Sequence, residues 1–410
     1  MPYRNRSPLT IPSNRLPDQL SPLSFAIRTA RLLVFLTSAG LLVGDSGRLV
    51  AADDAPPPGE TLKVYHIGNS LTRNVPLERL KQLFDAAGGS YEYGTQLGGG
   101  LRLSQHLVKR GHPGPPGSGR YNTVAPYGEY DQALKNFQFD ALVLQPYMEN
   151  LDEEASSLDR WPYFKAGSIQ AAGALIDYAI GETEPGGDRW DQQHANTDHV
   201  ATKRFYIYAT WPKAEAILNQ DGEKTYAAYW EQDYEGGAQP GQEFFEQLVT
   251  RLNQRHPDLE VPVRMIPAGQ VLAAIDEKIR GGKLPGIEAF YDRNQSYYLK
   301  ARGPKSPYNP KQFQRDAGVL NFYADGVHMN DQPHNGPDSG TIGSYTAAIT
   351  IYATLSGKSP VGLTVEPYEM FDAQADAELI LALQQTVWDV VAGHPHTGVA
   401  QPKLTVRLNE

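Results

Sequence analysis

Two short motifs hold residues whose types and spacing could do chemistry together. One is His66-Ile67-Gly68-Asn69-Ser70-Leu71-Thr72, and the other is Asp325-Gly326-Val327-His328. A serine hydroxyl is a weak nucleophile at neutral pH and needs a base beside it. Histidine suits that task, and a carboxylate that fixes its tautomer completes the unit. Spacing of three residues across a glycine lets Asp325 reach one imidazole nitrogen while the other faces Ser70. Ser70 itself follows Leu62–Ile67, a mostly apolar run that reads as a strand ending at Gly68. A tight turn at a strand's carboxyl end exposes the hydroxyl and sets the backbone N–H beside it, where an oxyanion would develop. Each motif is weak alone. Gly-x-Ser-Leu is by default a strand-ending turn, and Asp-x-x-His is common.

The elements that must position these residues alternate along the chain. After Leu62–Ile67, Pro76 opens a helix with Leu77, Leu80, Leu83, Phe84 and Ala87 on one face, stopped by Gly88-Gly89. Further strands are expected at Tyr91–Leu97, Ala141–Leu144, Phe205–Thr210 and Val261–Ile266. Helices are expected at Leu101–Lys109, around Gln132–Phe137, and over Ala166–Ile180, Gln242–Arg255, Val271–Ile279, Ser339–Ser356 and Ala377–Val391. Strands separated by helices imply parallel units and a helix-covered α/β sheet. Four connections exceed what such units need: His112–Tyr130, Gly181–Lys203, Pro212–Gly241 and Gly282–Ala324. The last carries Tyr291, Tyr297, Tyr298, Tyr308 and Phe313. These connections are either walls of a substrate cleft beyond the carboxyl ends of the strands or surface padding.

Gly68-Asn69-Ser70-Leu71 resembles the first sequence block of the SGNH hydrolases, also called GDSL esterases, in the variant with Asn for Asp. Asp325-x-x-His328 resembles the final block of that superfamily, and Gly98-Gly99-Gly100 the block whose glycine N–H lines the oxyanion hole. The third block is altered: the family has Gly-x-Asn-Asp, and Leu144-Gln145-Pro146-Tyr147 stands there instead. The resemblance spans about residues 61–357. It implies a three-layer α/β/α sandwich with about five parallel strands, flavodoxin-like, filling residues 61–410 with long loop insertions and a C-terminal helix. It also implies a serine esterase acting on an O-acyl ester through an acyl-serine intermediate. Acetyl esters, and carbohydrates as the alcohol, are the favoured chemistry. In that reading Ser70, Asp325 and His328 are the triad, and the oxyanion is held by Ser70, Gly98 or Gly99, and Gln145. No cofactor is called for.

Composition bounds the alternatives. The full chain has 37 basic and 47 acidic residues and no cysteine, so thiolate nucleophiles and zinc–cysteine sites are excluded. Residues 1–52 differ from the rest: Arg28 and Arg31 precede the apolar run Leu32–Val43, and Ala51-Ala52 follows. That pattern reads as a signal peptide and leader, giving an exported protein, periplasmic or extracellular, with no stable membrane insertion after cleavage. Residues 53–60 form a proline-rich linker. Without residues 1–52, 31 basic residues face 45 acidic ones, a net charge of −14 that argues against nucleic acid as a partner.

Other constellations compete for a function. His328, Asp331 and His334 offer metal-ligand types, but with no helical ligand spacing, so no metal is expected. Glu149, Asp152, Glu153 and Glu154 offer paired carboxylates, though a solvated run is the plainer reading. Trp161, Trp211 and Trp230 could stack on sugar rings, and Trp211, directly after the fourth strand, is the best candidate for substrate binding; a core tryptophan is the plain alternative. The altered third block also leaves open a non-catalytic carbohydrate-binding protein of the same fold. A lipase- or thioesterase-like acylhydrolase is a third reading.

Overall fold

The computed structural model describes residues 61–107, 121–147, 150–152, 166–181, 202–218, 225–237, 241–294, 315–329 and 341–399. The expected leader and linker lie outside these residues, as do parts of all four long connections, with Tyr297, Tyr298, Tyr308 and Phe313 among them.

Six strands form one sheet: β1 (Thr61–Gly68), β2 (Ser90–Leu97), β3 (Asn122–Thr123), β4 (Ala141–Leu144), β5 (Arg204–Tyr208) and β6 (Arg264–Ile266). Their order is β3-β2-β1-β4-β5-β6. All neighbours are parallel except the antiparallel pair β2–β3. The central strands carry unbroken buried runs, over the whole of β4 and from Val64 to Gly68 in β1. Strands covered on both faces need such runs rather than alternation.

The helices are α1 (Ser70–Arg73), α2 (Leu77–Ala86), α3 (Leu103–His106), α4 (Tyr130–Asn136), α5 (Ser168–Ile180), α6 (Ala214–Leu218), α7 (Tyr226–Trp230), α8 (Gln242–Arg255), α9 (Ala268–Arg280), α10 (Ile287–Arg293), α11 (Ile342–Ser356) and α12 (Ala377–Gly393), with a 3-10 segment at Arg315–Phe322. Parallel crossovers are right-handed. The chain steps one way from β1 to β2 through α2, and the other way from β4 to β5 through α5, so these helices fall on opposite faces. Packing agrees: α2 lies against β2 and α11, and α11 against α9 and α12, while α5 packs on α3 and α8. Helix α11 is buried throughout, and its threonines return their hydroxyls to the preceding turn: Thr346 to Ile342 O (2.8 Å), Thr350 to Thr346 O (2.8 Å) and Thr354 to Thr350 O (2.9 Å). Among the described residues, no helix is long and apolar enough to cross a membrane.

The fold is thus α/β, with five parallel strands and helices on both faces. Several elements differ from expectation: α6, α7, α10 and the 3-10 segment lie within the connections Pro212–Gly241 and Gly282–Ala324. The sixth strand begins at Arg264 rather than Val261 because Pro262 has no N–H to give a ladder. In its place, Asn253 of α8 binds both backbone groups of Val263, accepting from its N–H at 2.7 Å and donating to its carbonyl at 3.0 Å. Strand β3 has only two residues, too few to leave a period in the sequence. The direction of winding reverses between β1 and β4, and at such a switch point a crevice opens at the carboxyl ends of the strands.

Candidate functional site

Ser70 stands at that crevice, as the first residue of α1 directly beyond β1. Three side-chain contacts shape its turn. Asn69 caps α1, with its Oδ1 accepting from Leu71 N–H at 2.9 Å. The Asn69 Nδ2 donates to Leu101 O at 3.0 Å, which fixes the glycine loop after β2 against the turn. The backbone N–H of Asn69 donates to Oε1 of Gln145 at 2.9 Å. Gly68 must be glycine for this closeness. A Cβ there would lie 2.5 Å from Thr72 Oγ1 and 2.8 Å from Gln145.

Gln145, expected as an oxyanion donor, is engaged with the serine turn and with the backbone at its own strand end. Its side chain is fully buried, its Nε2 donates to Pro146 O at 2.7 Å, and its Oε1 takes the Asn69 N–H and the Thr72 hydroxyl (3.3 Å). The amide is turned into the floor of the crevice and holds the serine turn from beneath. Gly98 is also engaged, donating its N–H to Gly68 O at 3.0 Å as an extension of the β1–β2 ladder. Gly99 is exposed, and among the described residues neither its N–H nor that of Ser70 has an acceptor. Among the described residues, the backbone N–H groups of Ser70 and Gly99 are therefore the expected oxyanion donors with no acceptor, while Gln145 has one of its two Nε2–H groups engaged.

Asp325 and His328 form the pair that their spacing implies. His328 Nδ1 lies 2.7 Å from Asp325 Oδ2. Oδ1 of the same carboxylate accepts the N–H of Val327 at 2.8 Å and of His328 at 2.7 Å. Partial burial works to raise the Asp325 pKa, but these hydrogen bonds from His328 and Val327, with the charge of the ring, outweigh it and hold the carboxyl below its usual value. The imidazole is 17% exposed and the carboxylate 43%, so the pair faces the crevice mouth rather than the core.

Ties from several elements hold this loop. Trp211 Nε1 donates to Val327 O at 2.8 Å, and Ala214 N–H to Gly326 O at 2.9 Å. Thr341 donates its hydroxyl to Met329 O. Asn74, just beyond α1, accepts Met329 N–H at 2.6 Å and donates through Nδ2 to Ser70 O at 3.1 Å. Asn74 therefore touches both halves of the site. Among the described residues, no hydrogen bond joins Ser70 Oγ to His328 Nε2; contacts of this kind often tighten only around substrate.

Trp211 is not a sugar platform. It is 1% exposed, lies edge-on to Tyr208, and serves the histidine loop through its indole N–H. Trp230 is equally buried, stacked between Tyr226 and Phe245. Trp161, Glu149, Glu153, Glu154, Asp331 and His334 lie outside the described residues. Among the described residues, no group of three His, Asp or Glu side chains is arranged to hold a metal ion.

The residues that sequence reading passed over are Asn74 and Tyr147. Tyr147, three residues beyond β4, is half-buried; burial raises its phenol pKa, and the charge of Asp325 raises it further. Strand register pairs Ile67 with Leu144, and Ser70 and Tyr147 each follow that pair by three residues. The only signal for Tyr147 in the sequence was its place in the altered third block, three residues past the expected strand Ala141–Leu144. Asn74 gave none, since an asparagine before Val75-Pro76 reads as an ordinary turn.

No protein-family model matches the chain, and a search of curated proteins finds no match. Among solved structures, the crystal structure of a DUF4886 family protein from Bacteroides uniformis is similar over 81% of this chain and 95% of that one, at 16% identity and a TM-score of 0.41.

Proposed function

We propose that this protein is a serine esterase of the SGNH hydrolase type, built on a flavodoxin-like three-layer sandwich and exported from the cytoplasm. The observation that carries the reading is the Asp325–His328 pair, tied through Asn74 to the Ser70 turn at the switch point of the sheet. Ser70 Oγ attacks the ester carbonyl while Nε2 of His328 takes its proton, and the C–O bond to the alcohol then breaks as His328 returns that proton to the leaving oxygen. Water, deprotonated by the same imidazole, cleaves the acyl-serine and releases the acid. Asp325 keeps the ring in the tautomer with Nδ1 protonated. The N–H groups of Ser70 and Gly99 are the donors open to the oxyanion.

The substrate is an O-acyl ester, with acetyl as the favoured acyl group. A carbohydrate alcohol loses Trp211 as a support, because that side chain lies in the core. The rival is a non-catalytic binding protein of the same fold, favoured by one observation: Gly98 and Gln145 are engaged away from the oxyanion position.

A panel of short p-nitrophenyl esters and acetylated sugars separates the two. The wild type is expected to turn over at least one of them and to label with a fluorophosphonate. Ser70→Ala is expected to lose both while melting at the wild-type temperature. An inert, unlabelled wild type, or a Ser70→Ala variant of comparable activity, overturns the esterase reading.

A further inference from the structure

We propose that Asn74 is a positioning residue that sets the distance between the nucleophile and its base, an inference that rests on the esterase reading. Ser70 and His328 belong to elements remote in sequence, and no strand pairing fixes one against the other. Within the described residues, Asn74 is the side chain that hydrogen-bonds to both. Its Nδ2 donates to Ser70 O at 3.1 Å and its Oδ1 accepts from Met329, the neighbour of His328, at 2.6 Å. It is 1% exposed, so both bonds form away from competing water.

The geometry makes the link stiff. Asn74 ends α1, and its own N–H also returns to Ser70 O at 2.9 Å, so its backbone is anchored to the turn it controls. The amide is planar, so its two bonds point in fixed directions and hold the Ser70 carbonyl and the Met329 N–H at one separation. On the far side of the loop, Trp211 Nε1 holds Val327 and the Thr341 hydroxyl holds Met329 O. These fix the loop against β5 and α11, whereas Asn74 fixes it against the serine. Its removal leaves the loop folded but free to drift from Ser70, and a displacement near 1 Å at a reacting pair costs about 10²-fold in rate.

A second asparagine in the fold supplies a matched control. Asn253 clamps Val263 with the same two-bond pattern, at 2.7 and 3.0 Å, far along the chain from either motif. Asn74→Ala and Asn253→Ala each leave one backbone N–H and one carbonyl without a side-chain partner, and both are expected to lower Tm, Asn253→Ala by less because its side chain is only partly buried. With p-nitrophenyl acetate, Asn74→Ala is expected to lose about 10²-fold in kcat with KM changed less than about threefold, while Asn253→Ala keeps both. Asn74→Asp, which keeps an oxygen for Met329 N–H but loses the donation to Ser70 O, is the variant to use if Asn74→Ala does not fold, and a loss of kcat is again expected. A folded Asn74 variant with kcat within about twofold of wild type overturns the proposal, as does an equal loss in Asn253→Ala.

Amide hydrogen exchange keeps this result apart from the fate of the esterase reading. Asn74→Ala should speed exchange in residues 324–329 whether or not the protein hydrolyses anything. Unchanged exchange there shows that Asn74 does not hold the loop, and the inference fails by itself. An inert, unlabelled wild type whose loop nevertheless loosens overturns the catalytic purpose of the clamp and the esterase reading together.

Discussion

Ser70 leaves a strand that is paired over eight positions to β2 and over four to β4, whereas His328 sits in an irregular loop held by hydrogen bonds from Trp211, Ala214, Thr341 and Asn74. The serine side takes its place chiefly from backbone ladders, with Gly68, Asn69 and the buried Gln145 amide as the side-chain identities that matter. The base side takes its place from particular side chains on separate elements. Substitutions that spoil the chemistry while sparing the fold should therefore concentrate around the histidine loop, and substitutions beneath the serine should cost stability as well.

The sharpest way to break the comparison is to remove His328, the proposed base. His328→Ala should cost nearly as much activity as Ser70→Ala, about 10⁵–10⁶-fold, and the double variant should add little, because the two act as one unit. Asp325→Asn should cost about 10⁴-fold by favouring the wrong tautomer. Neither should lower Tm greatly, since the loop keeps its other ties and the Asp325 carboxylate is well exposed. Losses that multiply in the double variant, read from kcat/KM on a short ester, would show that His328 does not serve Ser70.

Gln145 tests the serine side. Gln145→Ala leaves the buried Asn69 N–H without its acceptor, so a stability loss of about 1–3 kcal/mol is expected, with kcat falling alongside it as the turn loosens. An oxyanion donor would give the opposite pattern, a kcat loss of about 10²–10³-fold at unchanged stability. Urea denaturation beside steady-state kinetics decides between them. A kcat loss with an unmoved urea midpoint would restore Gln145 to the oxyanion hole.

Much of this was legible from residue order. The apolar runs at Leu62–Ile67 and Ala141–Leu144 fall within β1 and β4 because central parallel strands, covered on both faces, are mostly apolar. The Asp325–His328 contact was legible because its partners are three residues apart. What the sequence could not convey is where a polar side chain turns once it is buried. Gln145 and Trp211 stand at the ends of strands, where functional groups gather, yet the amide of one and the indole of the other point inward to satisfy backbone groups of the turn and the loop. Asn74 was invisible for the complementary reason. Its two partners meet only after the whole sheet is wound, Met329 lying 255 residues further along the chain.

The last expected effect concerns acid, and it separates the two sides again. Beneath the serine lie two fully buried histidines, His66 against the Tyr91 hydroxyl at 2.6 Å and His106 accepting from Gln96 at 3.1 Å. Burial pushes the pKa of each down to about 3 from an ordinary value of 6.5. In the unfolded chain both take up a proton as pH falls through 6.5, while in the fold both stay neutral. Between those limits the unfolded state binds more protons, so their contribution to stability is complete above pH 6.5 and declines as pH falls toward 3. Each group contributes a slope of up to about 1.4 kcal/mol per pH unit. His394, lowered by burial to about 4, adds in the same direction. Asp325 acts in a separate window: its lowered pKa confines its loss to acid below the ordinary carboxylate value of 3.8. Urea midpoints between pH 8 and 5 therefore report the histidines and not the Asp325 carboxylate. Stability should hold above pH 7, decline below 6.5, and decline less steeply in His106→Gln, whatever that variant does to stability at pH 8. A flat profile, or an unchanged slope in His106→Gln, would mean that the histidines beneath the serine turn are open to protons in the fold, and that the two sides of the site are not as differently built as their hydrogen bonds imply.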